Sequence, residues 1–148
     1  MLRQLKNLLF GLRTYTDLSP DVKIRKEVNQ LLCQREALTL DEWFNCFWQP
    51  RGIAKPVVAF VYNQLGKYSG LEIARVRPSD RLNGDLQLPL VCWFDWQIRW
   101  CEDFCECFGV DISDRFDMNA VTTVEELVLC LDGLRLTVKA VSRINPNP

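Results

Sequence analysis

The stretch RVRPSDRLNGDLQLPLVCWFDWQIRWCEDFCECFGV (residues 75–110) decides the fold that is predicted for this chain. It begins as a polar loop and continues as a helix with an aromatic side chain at every fourth position, which places these side chains on one face. They are Trp96, Trp100, Phe104 and Phe108. Pro89 suits a first helical turn and Gly109 suits the position after a helix end. The sequence therefore predicts one helix of about 20 residues with a buried aromatic stripe.

Further helices are predicted upstream of this stretch. Thr39 precedes Glu42 by three residues, which is the spacing of a capping box at a helix start. The buried stripe of that helix is expected to be Phe44, Phe47 and Trp48. Further along, Pro56 suits the first turn of another helix, and Gly66 suits the position at which that helix ends.

The C-terminal part of the chain predicts a last helix and gives little support for a sheet. The run TTVEE (122–126) offers two overlapping capping boxes, and the helix that they open is expected to cover residues 124–131. Residues 135–144 alternate in part like a strand, but a lone strand has no partner for its hydrogen bonds. We therefore predict an all-α chain.

A break in the helical pattern marks the predicted domain boundary. The residues QPRG (49–52) combine a proline and a glycine between two helical segments. We expect an N-terminal helical extension over residues 1–50, a helical domain over 51–135 and a tail over 136–148.

The first thirteen residues, MLRQLKNLLFGLR, have a pattern of their own. Leucines at positions 2, 5, 9 and 12 have helical spacing, and Arg3, Lys6 and Arg13 lie elsewhere around the helix. A basic amphipathic helix of this kind either packs on its own protein or lies on an anionic membrane surface. We favour packing on its own protein.

Composition narrows the class of protein. A chain of 148 residues with 48% apolar residues and a net charge of −1 is typical of a globular protein, and it lacks the basic character of a nucleic-acid partner. No apolar run is long enough to cross a bilayer, so no transmembrane segment is predicted. Without a recognisable secretory signal, the seven cysteines are expected to be reduced thiols in the cytoplasm.

With these elements placed, residues 53–131 resemble an acyl (or peptidyl) carrier domain. The loop VRPSDRLNGDL (76–86) is similar to the family's pattern Ile-x-Pro-x-Asp-x-Leu-x-x-Asp-Leu, which leads into the serine that carries phosphopantetheine. Residues 53–65 are similar to the family's first helix, FGVDI (108–112) to the end of its second, and TTVEELV (122–128) to the start of its last. The resemblance implies a four-helix acyl-carrier-like bundle that follows the N-terminal helical extension.

The chain departs from the family at the serine. Counting forward from the loop places the serine position at Leu90, and counting back from Phe108 places it at Phe94. This disagreement of four residues implies about one extra helical turn. No serine or threonine occurs from residue 82 to residue 110, so no phosphopantetheine is predicted. Cys92, the one nucleophile between the two positions, is expected to be a buried core residue.

Other chemistry is not supported by the residue pattern. Cys101, Cys105 and Cys107 lack a fourth ligand for a zinc site, and the chain has no histidine, so no metal site is predicted. No activated nucleophile and no phosphate-binding glycine loop is recognisable either. We therefore expect a protein that is not an enzyme.

The uneven distribution of charge indicates how such a protein would act. Residues 80–117 carry nine acidic residues against three arginines, and a locally acidic surface attracts a basic partner. We predict a non-enzymatic acyl-carrier-like protein that binds a protein partner with a basic surface through its acidic second helix. The predicted docking residues are Asp95, Glu102, Asp103 and Glu106.

Two alternatives remain open at the level of the sequence. The chain is either a genuine acyl carrier that is modified at a non-standard position, or a small helical domain that binds an apolar ligand. The candidate modification sites are Ser69, Ser79 and Ser113. The candidate ligand-binding residues are Trp93, Trp96 and Trp100.

Overall fold

The computed structural model describes residues 19–144, with side chains up to residue 137, so the pattern at residues 1–13 lies outside the described residues. The helices are α1 (Val22–Leu32), α2 (Leu40–Phe47), α3 (Lys55–Ser69), α4 (Leu88–Val91), α5 (Trp96–Phe108) and α6 (Val124–Ile144). Short 3-10 turns lie at Gln49–Arg51, Ile73–Arg75 and Met118–Ala120. This part of the chain contains no strand, and the prediction of an all-α fold is confirmed.

Local side-chain chemistry fixes the start of α2 with the predicted capping box, whereas at α6 only the hydroxyl bond of one of the two predicted boxes forms. The hydroxyl of Thr39 accepts a hydrogen bond from the N–H of Glu42 (3.3 Å), and the Glu42 carboxylate accepts one from the N–H of Thr39 (3.1 Å). At α6, the hydroxyl of Thr123 accepts from the N–H of Glu126 (3.2 Å), whose carboxylate accepts from the N–H of Thr122 (2.7 Å). Each arrangement satisfies backbone N–H groups that a helix start leaves without partners.

The predicted helix of about 20 residues is two helices, and that prediction is wrong. Pro89 does lie in the first turn of α4, and Gly109 follows α5 in the left-handed conformation (φ 68°), as predicted. Between them the backbone becomes extended at Cys92 (φ −92°, ψ 158°). The four residues from Cys92 to Asp95 separate the two helices, so the expected extra turn is a break in the helix.

Contacts from α1 explain this break. In a continuous helix, the carbonyl groups of Leu90 and Val91 would accept hydrogen bonds from residues 94 and 95. Instead, the Leu90 carbonyl accepts from the N–H of Asp21 (2.8 Å), and the Val91 carbonyl accepts from the Arg25 guanidinium (2.8 Å). Residues outside the helix therefore satisfy the end of α4, and the chain is free to turn before α5 begins.

The other helix-end predictions differ from the structure for packing reasons. Pro56 lies in the first turn of α3 as predicted, but α3 continues through Gly66 to Ser69, and Gly70 takes the left-handed position (φ 69°). A Cβ atom at Gly66 would lie 3.2 Å from Cγ1 of Ile73. The absence of a side chain at Gly66 therefore allows Ile73, in the chain that returns along α3, to pack closely against the helix. The last helix runs to residue 144, past its predicted end at 131, and residues 135–144 are helical.

Two glycines in helices test this explanation. Gly133 in α6 has no atom within 4 Å of a Cβ built on it, so Gly133→Ala is expected to raise the free energy of unfolding by about 0.5–1 kcal/mol. The same gain at Gly66 is opposed by crowding against Ile73, and Gly66→Ala is expected to be less stable than Gly133→Ala by about 1 kcal/mol. Urea denaturation of the two variants measures the difference, and equal stabilisation would contradict a packing role for Gly66.

One core joins α1 and α2 to the remaining helices. Val28 and Leu32 of α1 and Trp43 of α2 belong to the same buried cluster as the residues of α3, α5 and α6. In the predicted stripe of α5, Trp96, Trp100 and Phe104 are buried and Phe108 is half-buried. In the predicted stripe of α2, Trp48 is buried while Phe44 and Phe47 are half-buried. The fully buried Trp43 was not predicted, and its Nε1 donates to the Val76 carbonyl (2.8 Å).

Candidate functional site

The loop at residues 76–86 is fixed by the carboxylate of Asp80, which is 4% exposed. Asp80 accepts hydrogen bonds from both terminal nitrogens of Arg35 (2.6 and 2.9 Å) and from the N–H of Arg77 (2.7 Å). Leu82 and Leu86 of the same loop are buried in the core. The residues that carry the resemblance to a carrier loop thus hold the loop against the helices.

Both positions at which the resemblance to a carrier would place a serine lie at the surface. Leu90 is 49% exposed and Phe94 is 56% exposed, and neither side chain has a group that could form a phosphodiester. Just before α4, Gln87 has a positive φ of 53°, which no other non-glycine residue of the described chain has. The chain that follows this loop therefore presents hydrocarbon to the solvent at both positions.

The three serines considered as alternative modification sites have different surroundings. Ser69 is fully buried, and its hydroxyl donates to the Leu65 carbonyl (2.5 Å) and accepts from the N–H of Leu71 (3.1 Å). Ser79 is exposed in the carrier-like loop. Ser113 is also exposed, and its hydroxyl donates to the carboxylate of Asp111. A modifying enzyme therefore has access to Ser79 and Ser113 and none to Ser69 in the folded chain.

Cys92 is buried, as the sequence predicts, and its thiol has low reactivity. Its side chain is 2% exposed, and burial raises the pKa of the thiol to about 12 although the nearby Arg25 acts in the opposite direction. A thiol with this pKa is protonated at neutral pH, and the thiolate is the reactive form. Cys92 is therefore unsuited to act as a nucleophile.

Alkylation rates test whether Cys92 is less reactive than the exposed cysteines. Cys33, Cys46 and Cys107 are exposed, and we expect them to react with iodoacetamide in the native protein at pH 8. Cys92 is expected to react at least about a hundredfold more slowly, because burial restricts access and lowers its thiolate fraction. Peptide mass mapping with time gives the rates, with urea-unfolded protein as the control. Equal rates for Cys92 and Cys107 would contradict its burial.

Two of the predicted docking residues already have partners. Asp95, at the start of α5, forms an ion pair with Arg99 (3.0 Å). The carboxylate of Asp103 accepts a hydrogen bond from the hydroxyl of Tyr68 on α3. Both acids are half-buried. The contact with Tyr68 attaches α5 to α3, whereas the pair with Arg99 lies at the start of α5 itself. Both contacts leave less charge for a partner.

The other two predicted docking residues are available. Glu102 and Glu106 are exposed and lie one turn apart on α5, and neither forms an ion pair within residues 19–137. They lie on the same side of the helix as Ile98, which is 65% exposed. The structure thus brings together half of the predicted docking set and separates the other half.

Glu102 and Glu106 line a groove of about 680 Å³ along α5, which we call the acidic groove. The side chains that shape it include Ile98, Cys101, Glu102, Cys105, Glu106 and Asp111. No lysine or arginine lines it. Burial raises the pKa of the Cys101 thiol, and the carboxylates of Asp111 and Glu102 raise it further, as expected where negative charges converge. Hydrogen bonds from Ser113 lower the pKa of Asp111, which keeps that carboxylate charged.

Asp111 and Ile98 were missed as site residues at the level of the sequence. Ile98, Glu102 and Glu106 follow one another at intervals of four residues, a spacing that places them on one helix face. Asp111 comes after Gly109, where the left-handed turn directs the chain back beside α5. The helical spacing was therefore visible in the sequence, whereas the position of Asp111 depends on the path of the loop.

Exposed apolar side chains are concentrated in one stretch of the chain, at the junction of α4 and α5. Eight large apolar side chains are exposed in the described part of the chain, and four of them fall within residues 90–98. We call these four the junction patch: Leu90, Trp93, Phe94 and Ile98. A concentration of exposed apolar side chains is typical of an interaction surface.

Of the three tryptophans considered for an apolar ligand, Trp93 and Trp96 line one groove of about 470 Å³, and Trp100 does not line it. The groove is also lined by Lys67, Tyr68, Phe94, Asp95 and Arg99. Trp100 is fully buried, with its ring centroid 5.0 Å from that of Phe60, and Trp96 is 5% exposed. Trp93 is 45% exposed and belongs to the junction patch. Among the cysteines considered for metal, Cys101 and Cys105 line the acidic groove, and residues 19–137 contain no cluster of three potential metal ligands.

No protein family, curated protein or solved structure matches the chain significantly. Within residues 19–144, none of the helices combines the length and the apolar character needed to span a membrane.

Proposed function

We propose that this protein is a non-enzymatic, acyl-carrier-like domain without phosphopantetheine, and that it acts by binding a partner protein with a basic surface. The acidic groove on α5 is the docking site. The observation that carries the proposal is the pairing of exposed apolar surface with three carboxylates, Glu102, Glu106 and Asp111, in a groove without a basic side chain. Such a surface favours a partner that is both apolar and positively charged.

The carrier-like arrangement of the helices is part of the proposal. In this arrangement α3 is the first helix, α5 is the second and α6 is the last, and both α5 and α6 contact α3. The 3-10 turn Met118–Ala120 lies between the second and last helices, where a short third helix would lie. The buried Asp80, Leu82 and Leu86 of the preceding loop support this arrangement, because the family's pattern has an aspartate and leucines at these positions.

Titration with a synthetic peptide tests the docking site. The probe is a fluorescent, amphipathic helical peptide of lysine and leucine, and a glutamate–leucine peptide of the same pattern serves as its control. We expect the basic peptide to bind, with an affinity that falls as salt is raised, because exposed ion pairs are screened. The acidic peptide is expected not to bind. Equal binding of the two peptides would contradict the proposal.

Paired variants locate the binding. Glu102→Gln combined with Glu106→Gln is expected to weaken binding of the basic peptide about 5- to 10-fold, since each exposed ion pair contributes up to about 1 kcal/mol. The matched control is Glu27→Gln combined with Glu36→Gln, which changes the net charge equally at exposed residues outside the groove. Similar losses of peptide affinity in the two double variants would show that only the net charge matters. That result would contradict the groove as the docking site.

Mass spectrometry tests the absence of phosphopantetheine. The chain is co-expressed with a broad-specificity phosphopantetheinyl transferase, and its intact mass is expected to remain unmodified. A mass gain that matches one phosphopantetheine group would overturn the proposal in favour of a genuine carrier. Fragmentation would then distinguish Ser79 from Ser113, the two exposed candidates.

A titration with a fatty acid tests the remaining alternative. Trp93 is the partly exposed tryptophan beside α5, and a ligand seated there would change its fluorescence. We expect no change, which supports protein contact as the function. A saturable change that Trp93→Phe abolishes would support a binder of small apolar ligands instead.

A further inference from the structure

Trp93 and Phe94 of the junction patch lie next to positively charged side chains. They line the groove of about 470 Å³ together with Lys67 of α3 and Arg99 of α5, and we call it the aromatic groove. The Nζ of Lys67 lies 5.6 Å from the centroid of the Tyr68 ring, and Lys67 forms no ion pair within the described part of the chain. The exposed aromatic side chains are therefore beside a positive charge that can bind an anion.

The start of α1 adds apolar and basic side chains to the same region. The N–H of Asp21 donates to the carbonyl of Leu90 (2.8 Å), and Val22, the next residue, is 69% exposed. Val22 lines a second surface groove together with Arg25 and Lys26, and Lys26 is exposed. The exposed apolar surface and the positive charge therefore both continue from the junction patch to α1.

Arg25 connects these parts of the surface. Its guanidinium donates to the carbonyl of Val91 (2.8 Å), the last residue of α4. A Cβ atom at Gly70, directly after α3, would lie 2.7 Å from Nε of Arg25, and Lys67 lies in the last turn of α3. The start of α1, the end of α3 and the junction of α4 and α5 therefore meet around this one side chain.

Exposed apolar side chains and positive charge thus occupy one region, which we call the junction surface. Its apolar members are Val22, Leu90, Trp93 and Phe94, and its basic members are Arg25, Lys26, Lys67 and Arg99. Asp95 also lines the aromatic groove, where it pairs with Arg99 (3.0 Å). Glu72 lines the groove on α1 and pairs with Arg75 (2.7 Å). Positive charge remains in excess even with the further carboxylate of Asp21.

An anionic membrane surface fits this combination of side chains. Tryptophan is enriched at the interface between membrane and water, and anionic lipids attract nearby lysine and arginine. Binding to a membrane surface strengthens with the apolar area that is buried and with this attraction. Trp93 and Phe94 lie in the four residues between α4 and α5, so they can enter an interface while both helices stay intact. A lipid surface supplies hydrocarbon and negative charge together, which a protein partner would have to combine in one acidic, apolar patch.

We propose that the junction of α4 and α5 docks on an anionic membrane surface. Leu90, Trp93 and Phe94 enter the interface, where their apolar surface leaves water. Lys26 and Lys67 contact the negatively charged lipid headgroups. The inference goes beyond the proposed function and does not rest on it, because it uses a different surface of the domain.

The acidic groove remains accessible in this arrangement. Glu106 lies about 15 Å along α5 from Trp96, at the opposite end of the helix from the junction. An anionic membrane repels the carboxylates of Glu102, Glu106 and Asp111 and attracts the basic junction surface. The distribution of charge along α5 therefore orients the domain, with its basic end toward the lipid and its acidic groove toward a partner.

Sedimentation of the full chain with lipid vesicles tests the apolar part of the site. We expect binding to vesicles of phosphatidylcholine with phosphatidylserine, and much weaker binding to phosphatidylcholine alone. Trp93→Ser combined with Phe94→Ser is expected to weaken binding at least about tenfold. The control is Leu129→Ser combined with Leu136→Ser, which removes exposed apolar side chains of α6 and is expected to leave binding unchanged. Circular dichroism verifies that both variants are folded. Equal binding of the first variant and the unmodified chain would assign the binding to another part of the chain and overturn the proposal.

Charge variants test the basic part of the site. Lys26→Gln combined with Lys67→Gln is expected to weaken binding to the phosphatidylserine vesicles about 5- to 30-fold, because each lysine near an anionic surface contributes. The control, Lys55→Gln combined with Arg115→Gln, changes the net charge equally at other exposed residues, and Lys55 lies at the opposite end of α3 from Lys67. Equal losses in the two double variants would show attraction by net charge alone and overturn the site.

Quenching by brominated phosphatidylcholine within the phosphatidylserine vesicles shows whether Trp93 enters the lipid. The other four tryptophans are at most 5% exposed, so quenching is expected from Trp93 and is expected to disappear in Trp93→Phe, which still binds. Vesicle binding without this quenching would overturn the proposal.

Two other occupants of the junction surface are distinguished by the same proteins. Self-association in analytical ultracentrifugation that Trp93→Ser with Phe94→Ser abolishes, without vesicle binding, would overturn the proposal in favour of a second copy. Binding of the glutamate–leucine peptide with the same dependence, again without vesicle binding, would overturn it in favour of an acidic protein. The basic peptide is titrated separately, so failure of the membrane site and failure of the acidic groove are independent results.

Discussion

Replacing Trp100 with alanine is expected to lower the free energy of unfolding by about 3–5 kcal/mol. The side chain is fully buried, and its ring makes edge contacts with Phe60 and Trp96 at centroid distances of 5.0 and 6.2 Å. Its removal leaves a cavity at the centre of the packing between α3 and α5. Because small domains are stable by about 5–15 kcal/mol, the loss is a large share of the total. Urea denaturation followed by circular dichroism measures it.

Two further variants keep this prediction testable if Trp100→Ala does not fold. The Nε1 of Trp100 is buried without an acceptor in the described part of the chain, so Trp100→Phe loses volume but no hydrogen bond, and we expect a loss of about 1–2 kcal/mol. Trp93→Ala removes the same residue type from a position that is 45% exposed and is expected to lower stability by less than about 1 kcal/mol. A Trp93→Ala loss as large as that of Trp100→Phe would contradict the assignment of core and surface.

Asp80→Ala is expected to have the next largest effect, a loss of about 2–4 kcal/mol. The carboxylate accepts three hydrogen bonds, two from Arg35 and one from the N–H of Arg77, and it is 4% exposed. Its removal leaves the Arg77 N–H without its acceptor, and the Arg35 guanidinium keeps only the carbonyl of Arg75 (3.2 Å). The Arg35 side chain is 38% exposed, so water compensates part of the loss and keeps it below that of a fully buried pair.

An exposed ion pair is the matched control. Asp41, whose side chain is 72% exposed, pairs with Lys55, and Asp41→Ala is expected to change stability by less than about 1 kcal/mol. Asp80→Asn keeps the shape of the side chain and separates the contribution of charge from that of size. Equal stability of Asp80→Ala and Asp41→Ala would contradict the conclusion that the hydrogen bonds of Asp80 hold the loop in place.

Features that depend on neighbouring residues could be predicted from the sequence. Local contacts within a few residues account for the capping box at Thr39, the hydroxyl cap at Thr123, the prolines in the first turns of α3 and α4, and Gly109 after α5. The buried stripe of α5 follows from spacing alone, because residues four apart share a helix face. The all-α class of the chain therefore follows from short-range patterns in its sequence.

Features that depend on distant residues could not be predicted in the same way. The break between α4 and α5 requires Asp21 and Arg25 to satisfy the carbonyl groups of Leu90 and Val91. The sequence predicts a helix end at Gly66, because it does not show that Ile73 packs against this glycine within the helix. In both cases the local sequence allows two conformations, and a tertiary contact selects one of them.

The candidate site was predicted in part for the same reason. Helical spacing identifies Glu102 and Glu106 as neighbours, but it does not reveal that Asp95 pairs with Arg99 or that Asp103 binds Tyr68 of another helix. The junction patch was not predicted, because Leu90 and Phe94 were expected inside a continuous helix.

The attachment of α1 also has a consequence for the order of folding. Arg25 and Val91 are 66 residues apart in the chain, and Arg35 and Asp80 are 45 apart. Closing loops of this length carries an entropic cost that contacts within a helix avoid, so we expect α1 to dock after the individual helices have formed. Until then the carbonyl groups of Leu90 and Val91 have no partner from α1, and residues 88–108 are able to form one continuous helix. The arrival of α1 would then divide that helix into α4 and α5.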